Sequence, residues 1–588
     1  MKALLLSWRG PMLLALLVRV AYFATADGVG FNEPLIDADY NDALGEALSR
    51  GEGFPPGPFW QPPLYPVLLG ALYTLVGHSL WAPRLLQAFL GAATAGMVSV
   101  IAERLAGDRF MGLLAGILVA LHGPLVFYDG ELLATSVATF LVTSAVWLGT
   151  FPRPGWAVAL SAGLAVGLGA LAVAPVLLLV IPMAWSLPRY GRRLGPIALA
   201  GCALAVVPVS SLNRLRSGEW FLISANAGVN LWIGNNSDID RTVAIRPGIE
   251  WEELMDEPRA HGASSAGAQD AYFMEKAIRG CAATPIGCLL NLAYKGRLLL
   301  SAHEIPRNES LAVARQKAPV LWILTARVGS FELPSALLVP LAIAGAVVIA
   351  RRRERLAWTV LASTIALALP LVVFFVTGRY RAPLWPMVCV LAALGAVTFG
   401  RGDQRKQALA ACIGATGAFL IAVWPVHLAV DAIDFEAEMH YALAGRRARR
   451  GDDAGAAAAL RAALARRPSY LEAGFNLGLM LERGGRPDEA ASAYQDVLAH
   501  HPSDVATRLR LGGTLLTLGR RGEAGALFRQ LLSENPQNGM AASGLAKVRI
   551  SEGALDDALG LFKIAERAFG PRDPVVQELR RDLERARR

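Results

Sequence analysis

Long apolar runs with few charges fill the first three-quarters of the chain, and nothing else in it limits the possible folds as strongly. A run of about 18 or more apolar residues is long enough to cross a bilayer as a helix. Such runs lie near 10–26, 82–102, 109–128, 131–150, 155–171, 173–188, 195–212, 333–350, 356–376, 382–400 and 407–429. In hydrocarbon the backbone must bond to itself, so runs of this kind predict helices. The reading is all-α: a polytopic membrane domain of about 11 spans over residues 1–430, followed by a soluble tail. The first run lacks a clear small-residue cleavage site and reads as a signal anchor. Only 18% of the 588 residues are charged, against about 25% in a soluble domain. That excludes an ordinary soluble enzyme and, with 54% hydrophobic residues, a disordered chain.

Lys and Arg in short loops orient a membrane protein. Lys2 and Arg9 predict a cytoplasmic N-terminus. Arg104 and Arg109, Arg153, then Arg189, Arg192 and Arg193 fall in alternate loops, as do Arg351 to Arg353 with Arg355, and Arg401 with Arg405 and Lys406. The alternation holds if 61–77, which is short and opens with Pro62, Pro63 and Pro66, lies in the outer interface instead of spanning. Loops 27–81 and 213–332 and the tail then face outward. The net charge of +9 reads largely as this orientation signal and predicts no nucleic-acid partner. Thr377-Gly378-Arg379-Tyr380-Arg381 breaks the rule, with two arginines on the outer side. Either they snorkel to headgroups, or they bind an anion there.

From residue 437 on, 24 basic residues meet 19 acidic ones and no run is long enough to span. Pro468, Pro502 and Pro536 recur every 34 residues. Leu477-Gly478, Ala490 and Tyr494 return as Leu511-Gly512, Ala524 and Phe528, and more weakly as Leu545-Ala546, Ala558 and Phe562. A degenerate first copy has Leu443-Ala444, Ala456 and Leu460. The pattern resembles tetratricopeptide repeats, about four of them over 437–570, with 571–588 as a polar capping helix. Such a stack implies a protein partner or acceptor on its concave face, or a spacing role.

The outer loops hold the charges worth explaining. The first reads Pro34-Leu35-Ile36-Asp37-Ala38-Asp39-Tyr40, then Gly51-Glu52-Gly53-Phe54 and Gln61-Pro62-Pro63-Leu64-Tyr65-Pro66. Acids near a membrane face are costly without a task or partner. A carboxylate there can take a proton or hold a cation, or merely cap the helix that follows. His122-Gly123-Pro124-Leu125-Val126-Phe127-Tyr128-Asp129-Gly130-Glu131 forms a second acidic outer turn, with Glu131 or Asp129 as its candidate, or an acid favoured only by the helix dipole. The long loop carries Ser224 to Asn236, with Trp232, Asn235 and Asn236, and then His303-Glu304-Ile305-Pro306-Arg307-Asn308. Amides and an aromatic face suit a sugar; turn formation is the plain alternative. His303 and Glu304 suit proton transfer or a surface role.

In order and content these motifs resemble the GT-C membrane glycosyltransferases, the bacterial relatives of protein O-mannosyltransferases and lipid A aminoarabinose transferases. The resemblance covers residues 1–400 in layout and 34–150 in motifs. It implies transfer of a sugar from a polyprenyl-phosphate donor to an acceptor at the outer face of the bacterial inner membrane. It also implies that Asp37 or Asp39, with Asp37 favoured by its distance from Tyr40, is the essential acid. Glu131 is implied as the second acid, and Arg379, Tyr380 and Arg381 as the holders of the lipid phosphate. The Asp-Glu pair common in relatives is missing, which leaves the two aspartates open. No nucleotide loop or strong metal motif occurs, and a divalent cation is neither required nor excluded by the text. Cys281 and Cys288, seven apart across Pro285, can bridge only if they do not share one regular helix. An O-antigen ligase-like enzyme and a non-catalytic membrane-anchored repeat scaffold are the competing readings; neither needs Asp37 and Asp39.

Overall fold

The computed structural model describes residues 7–187, 191–351, 354–400 and 405–588. Lys2, Arg189, Arg352, Arg353 and Arg401, which enter the charge alternation, lie outside these. The chain forms two compact units, one ending at Ile433 and one running from Asp434 to Arg588. Among the described residues nearly all regular structure is helical. The exception is a hairpin pairing Arg327 with Glu332 and Val328 with Phe331.

In the first unit the expectation of about 11 spans is corrected. Among the described residues four helices are long and apolar enough to cross a membrane: Trp81–Ala106, Leu194–Ser217, Arg355–Val373 and Gly378–Val397. Two bent pairs raise this to six if each counts once: Arg9–Thr25 with Val29–Ser49, and Arg109–Ala120 with Gly123–Gly130. The other apolar runs fold into shorter helices, among them Thr135–Gly149, Trp156–Ala172 and Ser335–Arg351. A 15-residue helix is about 22 Å long, short of a core about 30 Å thick. Hydropathy does not register the breaks. The run at 109–128 stops at Leu121 before Pro124, and the run at 131–150 becomes helical only at Thr135. The run at 173–188 opens as the 3-10 helix Ala174–Leu179.

Small residues let these helices approach closely, as membrane helices do. A Cβ on Gly163 would meet the Ala198 carbonyl oxygen at 1.8 Å, and one on Gly201 the Leu160 oxygen at 2.2 Å. The stretch after the first helix does not extend it. The chain turns by 107°, and Asp37–Ser49 packs against Leu64–Val76.

The second unit is a stack of nine helices, from Phe435–Arg449 to Pro574–Arg587. Tyr494, Phe528 and Phe562, 34 residues apart, are each at most 8% exposed, and Ala490, Ala524 and Ala558 are fully buried. Asp504 and Asn538, also 34 apart, cap the helices that follow them. The final helix buries Val576, Leu579 and Leu583 against Ala546, Ala558, Phe562 and Ala565, and shows polar residues elsewhere.

Candidate functional site

Asp37 opens the helix Asp37–Ser49. The residue before it, Ile36, has φ of 52°, a left-handed conformation that a β-branched side chain resists. Strain of this kind persists where the surroundings hold it, commonly at functional sites. The Asp37 carboxylate accepts hydrogen bonds from Asn308 Nδ2 (2.7 Å) and Gln61 Nε2 (3.3 Å) and pairs with the Arg379 guanidinium. Asp37 and Arg379 are 16% and 17% exposed, so the pair is sheltered but reachable. Burial works against ionisation of Asp37, but the Arg379 charge and the three donors outweigh it and hold the carboxyl below its usual range. Asp39 is buried two residues on, about 200° around the helix. The bond to Arg379 is made by Asp37.

Further charges gather around this pair. Arg379 Nη2 donates to the Tyr380 hydroxyl (3.1 Å) and its guanidinium stands over the Tyr380 ring. Arg307 donates to the Val243 carbonyl, and Arg246 donates to the Arg307 carbonyl. Burial, then the charges of Arg246 and Arg379, push Arg307 down to about 10. Arg307 is therefore close enough to both other cations to be repelled by them. Glu309 has a buried Oε1 without a hydrogen-bond partner among the described residues. Burial, opposed by Arg379 and reinforced by the Asp37 charge, lifts its pKa to about 7.

Glu131 lies in the turn between Gly123–Gly130 and Thr135–Gly149. Gln87 Nε2 donates to the Asp129 and Glu131 carbonyls (2.9 and 2.8 Å), and Arg84 Nε donates to Gly130 (3.0 Å). The Glu131 carboxyl is within electrostatic reach of Glu309 and Arg84. Asp129, the competing residue, forms a buried ion pair with Arg19 of the first helix at 2.6 Å.

Other sequence-predicted residues are engaged by the protein itself. Arg381, 1% exposed, donates to the Ser301 and His303 carbonyls (2.8 and 2.7 Å) and to Glu304 (2.7 Å). Burial, opposed by Arg381, raises the Glu304 pKa. His303 sits between Glu332 and Asp431, 2.9 Å from each. Burial would lower its pKa, but the two carboxylates push it up to about 9. Asn235 Nδ2 donates to the Leu231 and Val373 carbonyls, and Asn236 Nδ2 to Trp232, Ile233 and Thr242. Trp232 packs on Phe273 with the Lys276 ammonium 4.4 Å over its ring. These three side chains brace the long loop and do not join Asp37.

Asn308, Glu309 and Arg246 carry no motif of their own. Asn308 and Glu309 continue the polar stretch from His303, which was the available signal; nothing marks Arg246. Lys295 was also missed. Fully buried, it donates to Gly234 and Asn235 (2.8 and 2.9 Å) and to Val373 and Phe374 (3.1 Å each), just before the Arg379 loop. Cys281 and Cys288 form a disulfide, because the helix breaks at Thr284 and resumes at Pro285. Among the described residues no group of three His, Cys, Asp or Glu side chains is arranged to hold a metal ion.

The tetratricopeptide-repeat family matches residues 441–505 and again 515–583, so the C-terminal region consists of these repeats. The second match reaches into the final helix. Solved structures resemble the same region. The MamA protein is 17% identical over 26% of this chain and 85% of its own, with a TM-score of 0.23. A tetratricopeptide repeat protein from Parabacteroides merdae is 21% identical over 26% and 60%, with a TM-score of 0.24. YrrB, described as having an unusual peptide-binding site, is 16% identical over 32% and 89%, with a TM-score of 0.23. Scores this low add nothing to the repeat assignment. Comparison with curated proteins finds no match.

Proposed function

We propose that the chain is an integral membrane glycosyltransferase of the GT-C type. It moves a sugar from a polyprenyl-phosphate donor to a protein, lipid or envelope-glycan acceptor at the periplasmic face of the inner membrane. Its repeat tail, also periplasmic, engages a protein partner. The observation that carries this reading is the pairing of Asp37 with Arg379, 342 residues apart, in a sheltered but reachable cluster of charge. Asn308 of the 213–332 loop and Arg379 meet the Asp37 loop there, and the Glu131 turn lies within electrostatic reach of Glu309 beside them. A disulfide in the long loop suits an oxidising compartment.

In this mechanism the donor phosphate is held by Arg379 in a charge-assisted contact, with Arg307 and Arg246 adding positive field. Arg381, occupied by backbone carbonyls, positions the 301–304 segment instead. In the resting site Arg379 neutralises Asp37. A phosphate that takes over Arg379 weakens that pairing, so Asp37 becomes a stronger base as the donor arrives. The acceptor hydroxyl gives its proton to Asp37 while its oxygen bonds to the anomeric carbon. The bond from that carbon to the phosphate oxygen breaks, and the electron pair leaves on the polyprenyl phosphate.

The test is lipid and glycan analysis of a deletion strain carrying wild-type or Asp37→Asn protein. Accumulated polyprenyl-phosphate sugar in the deletion and the Asp37→Asn strain is the expected result. An unchanged pool of lipid-linked sugars in both would sink the proposal. The repeats themselves favour a second reading, a membrane-anchored scaffold for envelope assembly. On that reading Asp37→Asn, Glu131→Gln and Arg379→Ala proteins all restore the deletion phenotype.

A further inference from the structure

The helix Pro285–Leu300 in the long loop is amphipathic in the reverse sense. Its packed face carries its polar groups. Asn291 donates to the Gly234 carbonyl (3.2 Å), Lys295 is fully buried against four oxygens, and Leu298 lies one turn on. Its open face is aliphatic: Ile286, Leu289 and Leu290 are 74%, 66% and 66% exposed, and Ala293 continues the stripe. No charged residue occurs from Gly280 to Tyr294. A surface helix in water shows the opposite arrangement, and an open aliphatic stripe marks a binding face.

The neighbouring helices indicate what covers it. Pro285–Leu300 packs against Arg355–Val373 and Arg405–Val423. Their own outward side chains, Ile365 and Leu369 on one and Leu420 on the other, are at least half exposed. The aliphatic exterior of these two apolar helices therefore continues onto the loop helix. Lys295 fastens that helix to the Val373 and Phe374 carbonyls, and Ala302 N donates to the Ala422 carbonyl (2.9 Å). The Val373–Phe374 anchor is at the end of its helix that leads into the Arg379 loop. The Cys281–Cys288 bridge closes the corner at Thr284–Pro285 covalently, where no charged side chain is present to do so.

We infer that this disulfide-closed corner, with Ile286, Leu289 and Leu290 at its face, inserts into the acyl–headgroup boundary of the outer leaflet beside the site. The inference rests on the membrane reading proposed above. Interfacial helices bind in this way, by burying an apolar face at the headgroup level. The loop that supplies Asn308 and Glu309 is thereby held at a set height against the bilayer, where a lipid-borne donor is presented.

The test uses the full chain in nanodiscs of phosphatidylethanolamine and phosphatidylglycerol. The photoreactive residue p-benzoyl-phenylalanine replaces Ile286, Leu289, Leu369 or Glu275, one at a time, and adducts are read by mass spectrometry. The corner positions are expected to give lipid adducts at the level of Leu369 and about fivefold or more above Glu275, an exposed polar position on the preceding helix. Adducts at Leu369 with none at Ile286 and Leu289 overturn the inference and leave the membrane reading standing. Lipid adducts at none of the positions overturn both. A cross-link from Ile286 or Leu289 to a protein chain in place of lipid also overturns the inference.

Discussion

Among the described residues of the unit that ends at Ile433, three arginine–carboxylate pairs join residues far apart in sequence: Arg19 with Asp129, Arg379 with Asp37 and Arg381 with Glu304. None of these side chains is more than 17% exposed. In the repeat unit Arg486 pairs with Glu489, and Arg520 with Glu523, at the same place in successive repeats and between 41% and 56% exposed. Burying a charge pair costs desolvation that packing alone would not incur. A pair in water costs little and contributes little. The sheltered pairs therefore mark where the chain fixes long-range geometry or chemistry, and the exposed pairs mark a solvated surface.

The sharpest way to break this contrast is Asp37→Asn, which keeps the side chain's shape and removes its charge. A base lost from the reaction is expected to lower sugar transfer about 10²–10⁴-fold in isolated membranes, with protein level unchanged. Full turnover would make the pair structural, like that of Arg19.

The Arg19 pair offers the complementary test. Arg19→Met strands Asp129 in the apolar unit and is expected to cost about 3–5 kcal/mol in detergent melts. Arg19→Met with Asp129→Leu is expected to recover most of it. Failure of the double variant to recover would point to a functional Asp129.

His303 is intermediate. With its folded pKa raised to about 9, the folded state holds the proton more tightly than the unfolded one. The stabilisation is fully present below pH about 6.5 and is lost as pH rises through about 9. His303→Gln is expected to remove a contribution on the order of 2 kcal/mol at pH 6 and almost nothing at pH 10. Melts of both proteins across that window read the difference. A pH-independent gap would mean that packing, not charge, holds the 303–332–431 contact.

The smallest effect is expected at the repeat surface. Arg486→Ala should shift the midpoint of unfolding by less than about 0.5 kcal/mol. A larger shift would remove the distinction drawn above.

Charges in the apolar text were legible as candidates because so few of them stand in it. Asp37, Glu131 and Arg379 were singled out that way. The choice between Asp129 and Glu131 was not legible, because the partner of Asp129 lies 110 residues away in the first helix. Trp232, Asn235 and Asn236 have the composition of a sugar site, yet their groups are used by nearby carbonyls and rings. Composition does not say which acceptor an amide meets. Span counting failed for a related reason. Hydropathy registers apolar length but not the breaks at His122, at 131–134 and at Val173, so about 11 runs yield, among the described residues, four to six helices able to cross.

The repeat unit could be derived from the residue order because its contacts are short-range. Each buried aromatic meets helices of its own or the next 34-residue copy, so the period carries both the pattern and the packing. The site in the other unit could not. Asp37 is defined by Gln61, Asn308 and Arg379, which are 24, 271 and 342 residues away. Their meeting depends on how helices of unequal length bend and pack, which no local run of residues encodes. The acidic loop and the arginine loop were visible as exceptions to the charge pattern. That they are two halves of one ion pair, with Asn308, Glu309, Arg307 and Arg246 around it, followed from the folded arrangement alone.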